Sequence, residues 1–167
     1  NMKISVVSPN EWMYPDIKTY KTASDRVDLH VPRGGYGVMQ LFIDGTNAGD
    51  KITVTTYGDL LPLGCYQLLD TLVQYNTNDR FPHAVQNGVD TSGWTTRQAP
   101  FRVYDILQPF VEGGNIVEKD VTALYLSCKI EEDIPAGTYE GAVKVTIGEE
   151  SRMIPVRATV HRATLPK

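Results

Sequence analysis

The sequence predicts an all-β chain, an antiparallel β-sandwich of Ig-like or jelly-roll type with long decorating loops. Three observations carry this. Apolar and polar residues alternate with a period of two over short runs, which puts one face of a strand in a core and the other in water. Gly, Pro, Asn and Asp punctuate those runs at short intervals, as turns require. The 167 residues, 41% of them hydrophobic, suffice to bury one sizeable core. The expectation is a single domain over 1–167, with its core in 26–163 and 164–167 leading out as the start of a linker.

The elements follow in order. Met2 to Ser8 reads as a first strand, and Pro9 to Asp25 as a loop rich in aromatics, with Trp12, Tyr14 and Tyr20. Arg26 to Val31 is a second strand, turned by Pro32-Arg33-Gly34-Gly35. Tyr36 to Asp44 is apolar enough to be buried on both faces, and Lys51 to Tyr57 alternates cleanly. Leu63 to Tyr75 fits a helix through Cys65, Leu68, Leu69, Leu72 and Val73. It fits a strand through Leu63, Cys65, Leu69, Val73 and Tyr75 as well. The missing N-cap box and the β-rich surroundings favour the strand. Asn76 to Gln98 is a long polar loop, and strands resume at Phe101–Leu107 and Val121–Ile130 around a Glu112-Gly113-Gly114-Asn115 turn. The last pair is the clearest. Tyr139, Gly141, Val143, Val145 and Ile147 share one face, Gly148-Glu149-Glu150 turns the chain, and Ile154, Val156, Ala158 and Val160 face the core on the return. Pro155 lacks an N–H, which predicts a sheet edge or a bulge there.

Charge and motifs narrow the function. A net charge of -4 and a pI near 5.3 argue against a nucleic-acid partner or an anionic membrane surface. No apolar run is long enough for a bilayer, so no membrane insertion is expected. The Asn1-Met2 opening reads as a processed or internal start, so the lack of a signal peptide says little about compartment. Cys65 and Cys128 are too few for a disulfide scaffold. Cys128 is in phase with Leu124, Leu126 and Ile130, as a buried thiol would be, and a Cys65–Cys128 bridge is the competing reading. There is no Gly-x-Ser-x-Gly elbow, phosphate loop or Cys-x-x-Cys pair. His30, His83 and His161 are isolated in sequence, and the paired carboxylates lie in turns. No catalytic residue, metal or cofactor is expected in this chain.

Binding is what the composition leaves. The 76–98 loop combines Phe81, His83 and Trp94 with Asp79, Arg80 and other planar polar groups. Sugars are bound by such a mixture, an aromatic ring against the C–H face and amide, carboxylate or guanidinium groups against the hydroxyls. The alternative is that these residues only pack on the sandwich or on a neighbouring domain. Trp94, Phe81, Arg80, Asp79, Trp12 and Tyr14 are therefore the candidates for glycan or interdomain contact.

The stretch "IPAGTYEGAVKVTIGEESRMIPVRATVHRATLP" resembles the close of the N-terminal β-sandwich domain of glycoside hydrolase family 123 and its DUF4091-like relatives. Its Pro-x-Gly-x-Tyr-x-Gly corner is matched at Pro135, Gly137, Tyr139 and Gly141, and its Leu-Pro exit at Leu165-Pro166. Upstream, "RGGYGVMQLFI" is similar to an Arg-Gly-Glu-Tyr-Glu-x-x-Gln segment at Arg33, Gly34, Tyr36 and Gln40, and departs from it at Gly35 and Gly37. Where family members often carry Trp before the corner, this chain has Ala123-Leu124-Tyr125. The resemblance implies a non-catalytic accessory domain whose partner is a C-terminal catalytic (β/α)8 barrel of the same protein, in an extracytoplasmic setting. The family's catalytic Asp-Glu pair belongs to that barrel, so no catalytic residue carries over. A free-standing carbohydrate-binding module, with a glycan as partner, is the alternative.

Overall fold

The structure, a computed structural model, describes residues 1–59, 63–74 and 97–164, the last through its backbone. Among these there is no helix, and ten strands form two five-stranded sheets packed as a β-sandwich. They are β1 (Lys3–Val7), β2 (Val27–Arg33), β3 (Tyr36–Asp44), β4 (Lys51–Gly58), β5 (Leu63–Val73), β6 (Phe101–Pro109), β7 (Asn115–Ile116), β8 (Val121–Lys129), β9 (Gly137–Ile147) and β10 (Glu150–Thr164). One sheet runs β1-β3-β8-β5-β6 and the other β2-β10-β9-β4-β7.

The ambiguous Leu63 segment is a strand. It sits between β8 and β6, where Cys65 faces the main core and Leu68 the opposite side. One pairing departs from the antiparallel expectation, since β2 runs parallel to β10 with Val27 opposite Val156. That pairing also corrects the reading of Pro155. The strand β10 is internal, but its pairing with β2 starts only at Val156, so Pro155 has β9 on one side and no β2 partner on the other. The missing N–H is tolerated there for the reason it is tolerated at an edge. Pro32, read as part of a turn, lies instead in β2, which ends its sheet.

The period of two sorts the side chains as expected. Leu29 and Val31 of β2, Met39, Leu41 and Ile43 of β3, Leu124 and Leu126 of β8, and the inward rows of β9 and β10 fill the space between the sheets. The other face of β3 is buried as well. Phe42 packs with Val7, Met13, Tyr14, Tyr20, Leu68, Tyr104 and Ala123 in a second core, which the 8–25 loop builds by folding across the outer face of that sheet. Tyr139 is half-buried against the main core, and its hydroxyl donates to the Pro135 carbonyl at 2.7 Å, tying the corner that precedes β9.

Both cysteines are free thiols. The register explains why no bridge forms: Cys128 is opposite Leu63 and Cys65 is opposite Leu126, a diagonal relation. Diagonal residues on neighbouring strands lie about 7–8 Å apart, beyond the usual Cα separation of a disulfide, about 4.4–6.8 Å. Burial pushes the Cys65 thiol up to about 11, so it stays protonated.

Candidate functional site

Among the residues that carry the resemblance, Arg33, Gln40 and Tyr139 act as ties within the sandwich. The guanidinium of Arg33 donates to the Arg162 carbonyl, with its closer nitrogen at 2.5 Å, joining the ends of β2 and β10. Gly34 turns the chain at a φ of 79°, where a side chain would be strained. Gln40 is buried on the outer face of β3, and its amide donates to the carbonyls of Ser8 at 2.9 Å and Glu11 at 3.1 Å. The departure at Gly37 has a steric cause. A Cβ there would lie 3.0–3.1 Å from Leu29 Cδ1, Cys128 Sγ and Val31 Cγ2, so the core has no room for a glutamate.

Gln40 fastens one end of the 8–25 loop, and other bonds fix the rest. Tyr20 is the hub. Its hydroxyl accepts from the Tyr14 N–H at 2.9 Å and lies 2.6 Å from the Ile17 carbonyl and 3.0 Å from that of Tyr14, one of which takes its proton. Burial pushes this phenol up to about 12, which keeps the proton in place. The Glu11 carboxylate accepts from the N–H groups of Lys21 and Thr22 and from the Thr22 hydroxyl. Burial works to raise its pKa, and these bonds outweigh it and hold the carboxyl below the usual range. The loop is also sewn to β6, because the Tyr104 N–H donates to the Met13 carbonyl at 3.0 Å.

Arg97 closes the far side. It donates to both oxygens of the Asp16 carboxylate, one arm at 2.8 Å, and that pairing holds Asp16 below the usual carboxylate range. Its guanidinium also lies 4.8 Å from the Tyr14 ring centroid and 5.2 Å from that of Phe101. Tyr14, a candidate from the sequence, is thus buried between Arg97 and Phe101 and supports the loop from beneath.

Trp12, the other candidate on this loop, is 53% exposed. It lines two concavities. A cleft of about 760 Å³ is bordered by Trp12, Asn10, Thr19, Lys21, Thr22 and Arg97. A hollow of about 260 Å³ is bordered by Trp12 together with Gln40, Leu107, Asp105 and Tyr125. Next to it, Tyr125 stands opposite Tyr66, their rings edge to face at 6.4 Å. Sequence reasoning missed Tyr66, Leu107 and Tyr125. Strand parity could have found Tyr125, which alternates out of phase with the core residues Leu124 and Leu126. Asp79, Arg80, Phe81 and Trp94 lie outside the described residues.

The described residues hold no group of three or more His, Cys, Asp or Glu that could bind a metal. No helix among them is long and apolar enough to cross a membrane. His30 and His161 stack at 5.6 Å on the outer face of the β2–β10 pair, and His83 is outside the described residues.

What this geometry defines is a β-sandwich with an aromatic, loop-built surface on one sheet. No protein-family model matches the chain, and no curated protein matches it. Solved structures do. A family 123 glycoside hydrolase from Clostridium perfringens superposes at a TM-score of 0.72 with 16% identity, over 99% of this chain and 28% of that one. At that identity the likeness shows the fold alone, and the chain spans well under half of the hydrolase. AvmM, which catalyses macrocyclization in alchivemycin A biosynthesis, matches at a TM-score of 0.41 and 7% identity over 99% of this chain and 93% of that one. A PapD-like domain of human CEP192 matches at 0.39 and 12% identity over 94% and 98%. Scores this low carry no argument.

Proposed function

We propose that this chain is a non-catalytic accessory domain of a larger glycoside hydrolase-like protein, N-terminal to a catalytic (β/α)8 barrel and packed against it. The observation that carries the reading is the match to the family 123 hydrolase, in which nearly the whole chain corresponds to 28% of a longer polypeptide. The motif residues Arg33, Gly34, Gln40 and Tyr139 add to it, since each has a structural task here that the resembled domain would share. In this reading the chemistry belongs to the barrel, and the sandwich supports it.

The surface offers a place to dock. The two sheets end at β6 and β7, which a short connection joins. On β6 Ile106 is 49% exposed, on the connection Val111 63%, and on β7 Ile116 53%. Apolar groups gathered at one side, among polar neighbours, suit an interface between domains, which typically buries about 600–1,500 Å² and is mixed in polarity. Leu165, where the expected linker leads out, lies outside the described residues. The β6–β7 side lies at the opposite end of both sheets from β1 and β2.

Hydrogen exchange tests this docking. Amides of β6 and β7 are expected to exchange more slowly in the intact protein than in this chain alone. Equal rates in the two would contradict a domain packed on that side.

A further inference from the structure

We infer that the cleft beside Trp12 is a binding site for an oligosaccharide, with the indole as the platform for a pyranose ring. The inference is separate from the accessory-domain reading and does not rest on it. Four observations lead to it.

The indole is exposed on a loop that is otherwise pinned at every turn. Gln40 holds the carbonyls of Ser8 and Glu11, the Glu11 carboxylate holds Lys21 and Thr22, Tyr20 holds Tyr14 and Ile17, and Arg97 grips Asp16. A mobile surface tryptophan would be commonplace. One presented by a rigid frame is preorganised, which lowers the ordering cost of binding.

The cleft is also of ligand size. At about 760 Å³ it falls in the range of small-molecule sites, which run from about 300 to 1,000 Å³.

Its wall is amphipathic. Beside the indole stand the Asn10 amide, the Thr19 hydroxyl and the Lys21 ammonium. None of these three side-chain groups enters a hydrogen bond or ion pair among the described residues. An apolar ring next to donors and acceptors with no hydrogen-bond partner among the described residues matches a ligand with one C–H face and a rim of hydroxyls. A purely apolar ligand would leave the rim unsatisfied, and a purely ionic one would waste the indole.

Finally, Trp12 also lines the hollow that holds Leu107, Asp105 and Tyr125. Two concavities sharing one platform fit a chain of sugar rings better than a single ring.

The test uses this chain in solution and follows the Trp12 indole N–H by NMR, assigned through its loss in Trp12→Phe. The probes are the tetrasaccharides of β-1,4-linked glucose, galactose and N-acetylglucosamine, with the three monosaccharides beside them. At least one tetrasaccharide is expected to shift that resonance saturably, about tenfold or more tightly than its monosaccharide. Trp12→Ala, at a site already half in solvent, should keep the fold. Binding, now read from backbone amides of the loop, should weaken about tenfold or more. Lys21→Ala should weaken it less. No saturable shift with any tetrasaccharide at millimolar concentration would overturn the inference. So would unchanged affinity in Trp12→Ala, or burial of Trp12 against another domain in the intact protein. None of those three results touches the hydrogen-exchange prediction for β6 and β7, so the two readings fail separately.

Discussion

Single positions in this sandwich can be judged by the room around them. Gly37 faces the core on β3, and a Cβ added there meets Leu29, Val31 and Cys128 at 3.0–3.1 Å. Those neighbours are branched or buried in a packed core and yield little. Gly37→Ala is therefore expected to cost about 1–3 kcal/mol, the usual range for overpacking, read as a lower midpoint in urea denaturation. Gly37→Glu should fail to fold, because it buries an unpaired carboxylate in the same place. Wild-type stability in Gly37→Ala would show that the core gives way there. The resembled motif favours a glutamate at this position, and no inspection of the sequence alone would have shown why this chain lacks one. Register with β8 brings Cys128 opposite Gly37, and the packing of the facing sheet brings Leu29 and Val31 of β2 against it. Tyr14 teaches the same lesson. As an aromatic in a polar loop it looked available to a ligand, yet Arg97, far away in sequence, covers its ring.

At the scale of elements, period two was a sufficient guide. It found β9 and β10, while the unbroken apolar run marked β3 as buried on both faces, and the missing N-cap box with the β-rich surroundings favoured the strand that β5 proves to be. The parallel pairing of β2 with β10 was not legible, because alternation fixes which face is buried and says nothing of neighbour or direction. The 8–25 loop was legible only as a loop. Beyond the local bonds of Tyr20, it is held by contacts between residues distant in sequence, from 10 positions for Glu11 with Lys21 to 81 for Arg97 with Asp16. Those contacts make it sensitive to acid. The carboxyls of Glu11 and Asp16 lie below their unfolded-chain values of 4.5 and 3.8 when the loop is in place. A lowered folded pKa favours the folded form once the group is ionised. The stabilisation is thus complete above the unfolded value and is lost as pH falls through the folded one. Asp70, held down by Arg102 and Lys119 against its burial, adds to the same trend where β5 meets β6. The loop is expected to loosen below about pH 4, seen as altered chemical shifts of Trp12 and Tyr20 while the β9–β10 amides hold. Shifts that stay constant down to about pH 2 would mean that the carboxylates do not secure it.

At the scale of the whole molecule, the accessory role proposed above makes two demands on the fold. Its described residues bury a core between two sheets, and they leave Ile106, Val111 and Ile116 exposed on β6, β7 and the connection that joins them. A supporting domain needs both features, a self-sufficient core and a surface whose partner lies elsewhere in the protein. The most direct measurement is to sequence the native transcript beyond the codon for Lys167. An open reading frame continuing through Leu165-Pro166 into a segment with the alternating strand and helix pattern of a (β/α)8 barrel is the result expected. A stop codon directly after Lys167 would contradict the account.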